Sequence, residues 1–218
     1  MIKAVIFDLD GTLVNSLKDL CDSTNYALKK HGFVEHAEKE YNYLVGEGMV
    51  RLIKQALPEN ERETETFQTV FDEFYSHYRH HYLDKTAPYE NIHKSIEQLK
   101  AAGIKLAVVS NKADEMTKKV VEKFFNGDFT IVSGKKENYP TKPDPTLTLD
   151  IIKELGVTPN ECAFIGDSGV DMLTAKNSGC KAVGVLWGFR LREELEENGA
   201  EYLLENANEI APLILNME

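Results

Sequence analysis

Two carboxylates stand at the end of the first apolar segment of the chain. Residues 4–7 are all apolar, and they are followed by Asp8 and, one leucine later, by Asp10. Side chains two residues apart on a strand point to the same side, so both carboxylates can face one site. Neighbouring carboxylates repel each other unless one of them has a raised pKa or a cation binds between them. The pair therefore predicts either a simple Asp-Gly turn or a site for acid–base and metal chemistry.

Three later segments also place polar groups where an apolar segment or a helix meets a loop. VVSN ends in Ser110 and Asn111, whose hydroxyl and amide groups suit phosphate oxygens, and TKPDP holds Lys142 between residues that restrict the backbone. FIGDSGVD supplies Asp167 and, four residues later, Asp171. Mg²⁺ prefers oxygen ligands and is usually bound through one or two carboxylates together with a phosphate. The set therefore predicts a divalent cation beside a phosphate-binding lysine.

The composition excludes several classes of partner. The 218 residues carry a formal net charge of −11, which argues against binding to nucleic acid or anionic membranes. Apolar runs are too short for a membrane span, and the N-terminal segment turns acidic too soon for a signal peptide. Cys21, Cys162 and Cys180 lie far apart without metal-ligand spacing, so we expect reduced thiols in a cytoplasmic protein. An anionic substrate would then need a locally positive site.

The elements that must position these residues alternate between strands and helices. Short apolar segments rich in Val or Ile predict strands at 105–111, 162–168 and 181–187, with a weaker one at 128–134. Helical spacing of apolar residues separates them, in segments that often close on glycine. This alternation predicts an α/β fold with a parallel sheet. Ligands of such sheets bind at the carboxyl ends of the strands, which is where Asp8 and Asp10 stand.

Residues from about 16 to 85 have a different pattern. Three segments, 17–32, 37–57 and 61–84, read as helices, and none reads as a strand. The third carries a stripe of Phe, Val and Tyr at spacings of three and four, which is typical of packing within a helical bundle. We therefore predict a core domain of residues 1–15 and 86–218 with an all-helical cap domain, 16–85, inserted after the first strand.

In this order, FDLDGTL, VVSN, TKPDP and GDSGVD resemble the four motifs of the haloacid dehalogenase superfamily of phosphohydrolases. The resemblance covers the whole chain, because the helical insertion is similar to the cap of that family. It implies a Rossmann-like three-layer core and Mg²⁺-dependent hydrolysis of a small phosphorylated metabolite. The size, the cap and the closing segment 185–210 look most like the phosphoglycolate phosphatases and their near relatives.

The resemblance also implies a role for each motif residue. Asp8 would be the nucleophile that forms an aspartyl-phosphate, and Asp10 the acid and base that protonates the leaving group and activates water. The residues expected to bind the phosphoryl group or the rest of the substrate are Ser110 and Lys142, with Gly11, Thr12 and Asn111. The Mg²⁺ ligands would be Asp8, the backbone carbonyl of Asp10, and Asp167, with Asp171 in support.

Departures from the motifs separate this chain from other activities. Dehalogenases and transport ATPases lack the acid found here as Asp10. Sugar phosphomutases share Asp10, but they typically carry a histidine where this chain has Leu20 and an arginine where it has Met49, which disfavours that activity. A receiver domain needs neither a second carboxylate nor a cap. The favoured substrate is 2-phosphoglycolate, with pyrophosphate or another small phosphate ester as the alternative.

The cap loop LVGEGMVR is the expected specificity element. Gly46 and Gly48 would let it reach a substrate, and Glu47 or Arg51 would contact it; both charges could equally be solvated helix ends. His77 and His81 lack the neighbouring glutamate of a zinc-protease motif, so we interpret them as part of a solvated polar face. The protein is expected to be a monomer or a homodimer, with no nucleic-acid or membrane partner.

Overall fold

A six-stranded parallel sheet positions the candidate site in this computed structural model, which describes residues 1–217. Its strands are β1 (Ala4–Phe7), β4 (Lys105–Ala113), β5 (Ile131–Lys135), β6 (Cys162–Gly166), β7 (Lys181–Val185) and β8 (Tyr202–Leu204), and the short strands β2 (Val14–Asn15) and β3 (Ala87–Pro88) form a separate two-stranded sheet. The helices are α1 (Leu17–Lys30), α2 (Tyr41–Leu44), α3 (Met49–Ala56), α4 (Glu65–His81), α5 (Ile92–Ala101), α6 (Asp114–Phe125), α7 (Thr146–Leu155), α8 (Gly169–Ser178), α9 (Arg192–Glu197) and α10 (Ile210–Asn216). The predicted α/β fold with a parallel sheet is therefore confirmed.

The strand order is β5-β4-β1-β6-β7-β8, so β1 lies in the interior of the sheet. From β1 the chain builds β4 and β5 on one side and later β6, β7 and β8 on the other. In an open parallel sheet the ligand crevice lies where the strand order reverses direction in this way, outside the carboxyl ends of the strands. The topology therefore places the main crevice directly after Phe7, the last residue of β1.

Both faces of the sheet are covered by helices, which explains why its strands are almost wholly apolar. On one face Ala4 and Ile6 belong to a buried cluster that includes residues of α7, α8 and α9. The side chains of Val5 and Phe7 point to the other face. The ring of Phe7 packs edge-on against Phe129, which in turn packs against Phe125 of α6. This alternation gives the three layers of the core.

The chain divides into two compact units, one formed by Met1–Val14 together with the chain from Pro88 onward, and the other by Asn15–Ala87. Between its two ends the second unit consists of α1, α2, α3 and α4 with two short 3₁₀ helices. Its core includes Val70, Phe74 and Tyr78 of α4, at the helical spacing of the predicted stripe. Among residues 1–217, no helix combines the length and apolar character that crossing a membrane requires.

The second unit differs from the predicted pattern in two places. The helix expected over 37–57 is broken between α2 and α3, because Val45 is extended and Gly48 has a φ of 90°, a conformation that helices do not contain. The ring of His77 is half-buried rather than solvated, and it stacks on the rings of Tyr26 and His81, with centroids 4.2 Å away in each case.

A buried carboxylate ties the first helix of this unit to the end of the unit. Asp19 in α1 accepts hydrogen bonds from the backbone N–H groups of Lys85 and Thr86 and from the Thr86 hydroxyl. Asp19 is 3 % exposed, so these donors replace the water that its charge would otherwise require. The carboxylate thus has a structural role within the helical unit.

Candidate active site

The register of three neighbouring strands brings three sequence motifs to one edge of the sheet. Phe7 at the end of β1 is level with Val108 of β4 and with Ile165 of β6. Asp8, directly after β1, is therefore close in register to Ser110 of β4 and to Asp167, which directly follows β6, and its N–H donates to the carbonyl of Ile165 at 2.9 Å. All three polar residues are buried.

Asp8 forms an ion pair with Lys142. The ammonium group of Lys142 lies 2.6 Å from Asp8 Oδ1 and 2.7 Å from Asp171 Oδ1, so it bridges the two carboxylates. The Lys142 side chain is 5 % exposed. A lysine desolvated to this degree requires charged partners, and the two carboxylates supply them. The motifs that carry Asp8, Lys142 and Asp171 are therefore in direct contact.

The backbone of Lys142 is positioned by Asn111. The N–H of Lys142 donates to Asn111 Oδ1 at 2.9 Å, and the Asn111 amide nitrogen donates to the Lys142 carbonyl at 3.3 Å. A third hydrogen bond, from Asn177 to the carbonyl of Pro143, holds the next residue of the same loop. The phosphate contact expected of Asn111 stays a prediction. In the structure its side-chain amide holds the backbone of the loop that carries Lys142.

Asp10 has its own lysine. The Lys112 ammonium lies 3.2 Å from Asp10 Oδ1 and 3.1 Å from Oδ2, and its side chain is only 2 % exposed. The two carboxylates of the first motif therefore face two different cations, although only one residue separates them in sequence. The Asp10 side chain is not part of the cluster that Asp8 forms with Asp167 and Asp171. The metal contact predicted for Asp10 is through its backbone carbonyl, which the pairing with Lys112 does not affect.

Asp167 is held at the centre of the site by the chain around it. Its carboxylate accepts hydrogen bonds from the Phe189 N–H at 2.7 Å and from the Thr12 hydroxyl at 3.3 Å. A Cβ atom added to Gly11 would come within 2.2 Å of Asp167 Oδ2, and Gly11 has a φ of +89°. Only glycine fits this combination of close approach and backbone conformation. The predicted phosphate-binding residues Gly11 and Thr12 therefore line the pocket of Asp167.

Asp8, Asp167 and Asp171 form a cluster that fits a divalent cation. Each offers one carboxylate oxygen, and the three oxygens lie within 4.8 Å of one another in a buried setting. Asp171 also caps α8, because its Oδ2 accepts hydrogen bonds from the Ser168 N–H at 3.1 Å and from the Ser168 hydroxyl at 2.6 Å. Carboxylate oxygens are the ligands that hard divalent cations prefer.

The electrostatics of the cluster also favour a bound cation. Burial raises the pKa of Asp8 to about 7; Lys142 opposes this rise, whereas Asp171 and Asp10 add to it. Burial likewise raises the pKa of Asp167 well above its ordinary value, and the charges of Asp171 and Asp8 raise it further. Burial acts to lower the pKa of Lys142, but Asp171 and Asp8 outweigh it and hold that pKa above its usual range. Negative charge is thus in excess over the one bridging lysine.

The remaining predicted residues are placed as follows. Ser110 lies at the carboxyl end of the sheet, where its hydroxyl accepts a hydrogen bond from the Lys112 N–H at 3.2 Å. Gly46, Glu47 and Gly48 belong to the helical unit, in the turn between α2 and α3. Glu47 forms an ion pair with Arg51 at 2.9 Å. The substrate contacts predicted for these cap residues stay predictions.

Two features of the candidate site are not evident in the sequence pattern. The sequence pattern does not predict Lys112 as a site residue, because the apolar run ends before it, although β4 continues to Ala113. The segment after β7 supplies two donors to the site: the Phe189 N–H to Asp167, and the Trp187 indole N–H to the Thr12 carbonyl at 3.0 Å. The one available signal for Lys112 is a lysine directly after two candidate phosphate ligands.

Known proteins resemble this chain over most of its length. The family model described as haloacid dehalogenase-like hydrolase matches residues 5–185. The phosphoglycolate phosphatase of Aquifex aeolicus is 31% identical over 220 residues, covering 99% of this chain and 98% of that protein. The enzyme of the same name from Psychrobacter arcticus is 31% identical over 200 residues, covering 88% and 87%.

The solved structures agree at the level of the whole fold. A candidate phosphoglycolate phosphatase from Lactobacillus delbrueckii subsp. bulgaricus has a TM-score of 0.94 and 32% identity, with 99% of each chain covered. A predicted phosphoglycolate phosphatase from Haemophilus somnus has a TM-score of 0.88 and 28% identity, with 97% of each covered. The resemblance carried by the four motifs is thereby confirmed: the chain belongs to the haloacid dehalogenase-like hydrolases.

Proposed function

We propose that this protein is a Mg²⁺-dependent phosphatase that hydrolyses a small phosphorylated metabolite through an aspartyl-phosphate on Asp8. The first candidate substrate is 2-phosphoglycolate. The proposal also assigns the protein to the cytoplasm, where its three free cysteines would stay reduced.

One observation carries the proposal: the two carboxylates of the first motif are held in different electrostatic environments. Asp8 is buried beside Lys142 and two further carboxylates, whereas Asp10 is paired with Lys112. Pairs of acids whose surroundings differ are typical of active sites in which one acid attacks and the other moves protons. This separation supports a division of roles between Asp8 and Asp10.

In the first step an Asp8 carboxylate oxygen would attack phosphorus while the bond to the ester oxygen breaks. Asp10 would give its proton to the departing alkoxide. In the second step Asp10 would take a proton from a water molecule whose oxygen attacks the aspartyl-phosphate, which releases phosphate and restores Asp8. Ser110 and Lys142 would bind the oxygens of the transferring group. General acid–base catalysis of this kind contributes about 10²- to 10⁴-fold to the rate.

A divalent cation would be held by Asp8 and Asp167, with Asp171 beside them and the Asp10 carbonyl as a further ligand. When bound, it supplies positive charge to the phosphoryl oxygens, which is much of what phosphoryl transfer requires. Mg²⁺ is the proposed ion because the donors are carboxylate oxygens and the substrate adds phosphate oxygens. The bridging position of Lys142 supports the same conclusion, since its single positive charge is already shared between Asp8 and Asp171.

The substrate proposal rests on the relatives. Three relatives at 30 to 31% identity over most of the chain are named phosphoglycolate phosphatases. Leu20 and Met49 stand where sugar phosphomutases typically carry histidine and arginine, which supports hydrolysis over mutase activity.

A phosphate-release screen tests the function. The protein is supplied with Mg²⁺ and with 2-phosphoglycolate, pyrophosphate and hexose phosphates in turn, and kcat/KM is measured for each. The expected result is the highest kcat/KM for 2-phosphoglycolate. A preference for pyrophosphate or a hexose phosphate would keep the mechanism and replace the substrate, whereas no phosphate release from any compound would refute the proposed function.

A further inference from the structure

Lys112 is a buried cation that the mechanism above does not use. It is the penultimate residue of β4, two positions after Ser110. Its ammonium group lies 3.2 Å and 3.1 Å from the two carboxylate oxygens of Asp10. The side chain of Lys112 is 2 % exposed and that of Asp10 is 18 % exposed. The pair therefore sits at the edge of the site with the lysine inside and the carboxylate facing outward.

Fold stability gives a poor explanation for this lysine. Moving an ammonium group out of water is costly, and an apolar side chain of similar size often stabilises a protein as much as a buried ion pair does. Met or Leu would also continue the apolar run of β4. The presence of a charged group therefore points to its partner, Asp10.

The geometry of the pair restricts how the Asp10 carboxylate is oriented. The ammonium lies at almost equal distances from both oxygens, so rotation of the carboxylate away from it would lose charge-assisted hydrogen bonds. Asp10 lies beyond the end of β1 and before the turn at Gly11, where the regular strand no longer fixes the side chain. An acid that protonates a leaving group must be held closely, because a misplacement of about 1 Å can cost about 100-fold in rate.

We propose that Lys112 is a positioning residue that holds the Asp10 side chain in the orientation from which its protonated form gives a proton to the leaving-group oxygen and its carboxylate form takes one from the attacking water. The inference rests on the proposed function, since it needs Asp10 to be the acid. Lys112 and Lys142 then act on different carboxylates: Lys142 serves the attacking group, and Lys112 serves the proton-transfer group.

The test compares substrates that differ in how much they need a proton on the leaving group. Aryl phosphates such as 4-nitrophenyl phosphate leave without help, whereas alkyl phosphates require the acid. Lys112→Met is expected to lower kcat/KM for an alkyl phosphate whose alkyl group carries no charge by about 10- to 100-fold, with a far smaller change for 4-nitrophenyl phosphate. Lys112→Arg, which keeps a cation able to bond both carboxylate oxygens, should restore most of the alkyl activity.

Two controls separate positioning from general damage. Lys118→Met removes an exposed lysine that pairs with Asp114 at 2.7 Å on α6, and it should leave both substrates unchanged. In an Asp10→Asn background, Lys112→Met should add little further loss on the alkyl ester, because the acid that it positions is already absent. Thermal unfolding of every variant identifies any that has failed to fold. If Lys112→Met does not fold, kcat/KM of Lys112→Arg on the two esters is compared with that of the wild type instead.

Each outcome supports or overturns one idea. An equal loss on aryl and alkyl esters, with no rescue by Lys112→Arg, would overturn the positioning role. A loss confined to 2-phosphoglycolate would also overturn it and would show instead that Lys112 binds the substrate's carboxylate. If the wild-type protein hydrolyses no ester, or if Asp10→Asn has no preference for aryl over alkyl esters, the proposed function fails first.

Discussion

The side-chain amide of Asn111 and the backbone of Lys142 hydrogen-bond to each other in both directions, at 2.9 Å and 3.3 Å. The end of β4 therefore fixes the loop whose lysine reaches Asp8. Both residues are buried, so the two backbone groups depend on this amide in place of water.

Asn111→Ala should destabilise the core unit and lower kcat. It removes both hydrogen bonds and leaves the N–H and C=O of Lys142 without them, at a cost of about 1 to 3 kcal/mol for each unsatisfied group. Urea denaturation gives the free energy of unfolding, and steady-state kinetics give kcat. Asn177→Ala is the matched control, because it removes a single exposed hydrogen bond to Pro143. Equal stability and kcat for the two variants would show that the hydrogen bonds of Asn111 do not hold the Lys142 loop.

Asp8→Asn should abolish turnover while the protein stays folded. The amide cannot form the acyl phosphate, whereas Lys142 keeps its second partner, Asp171, at 2.7 Å. Phosphate release from the preferred substrate and circular dichroism of the variant check the two halves of this prediction. Substantial residual phosphatase activity would exclude Asp8 as the nucleophile.

Chelation by EDTA should stop the reaction, and added Mg²⁺ should restore it. Mg²⁺ should also raise the Tm of the wild-type protein, because a ligand that binds only the folded state stabilises it. Asp167→Asn should raise the Mg²⁺ concentration for half-maximal activity by at least about 10-fold and weaken the shift in Tm. Asp150→Asn, an exposed change on α7, should preserve both responses. Turnover that is insensitive to chelation would exclude the metal site.

The metal-free protein should lose stability through Asp8 as the pH rises. The folded-state pKa of Asp8 is about 7, raised by burial from an ordinary value of 3.8. The folded state therefore holds a proton that the unfolded state has lost between about pH 4 and about pH 7, and stability falls with pH over this range. Tm measured in EDTA at intervals from about pH 5 to about pH 8, for wild type and for Asp8→Asn, isolates the contribution.

Two results would bear on the pH prediction. The wild-type Tm should decline more steeply with rising pH than that of Asp8→Asn, and Mg²⁺ should reduce the difference by compensating the carboxylate charge. Parallel profiles for the two proteins would show that Asp8 titrates near its ordinary value in the folded state.

Much of this protein could be predicted from local sequence. The buried strands are short runs of Val, Ile and Ala, the helices between them have clear apolar periodicity, and the first, second and fourth motifs each directly follow such a run. Because parallel strands end at a common edge, the strand pattern alone predicts that Asp8, Ser110 and Asp167 meet. Alternating strands and helices also separate the α/β core from the helical segment.

Other features depended on tertiary structure. A lysine after a strand is ordinarily solvated, and Lys112 becomes a buried partner of Asp10 only because the chain after β1 packs over the end of β4. The break between α2 and α3 reflects backbone conformations at Val45 and Gly48 that a periodic pattern does not record.

The sequence by itself determined the family, because the types and order of the motif residues match the haloacid dehalogenase-like hydrolases, and the proposed roles of an attacking carboxylate, an acid, a lysine and a metal cluster follow from these motifs. Only the tertiary structure decided which cation pairs with which carboxylate. Lys142 bridges Asp8 and Asp171, Lys112 takes Asp10, and Asn111 holds the backbone of Lys142. The physical reason is that ion pairs between residues 29, 102 and 134 positions apart in sequence depend on strand register and loop packing.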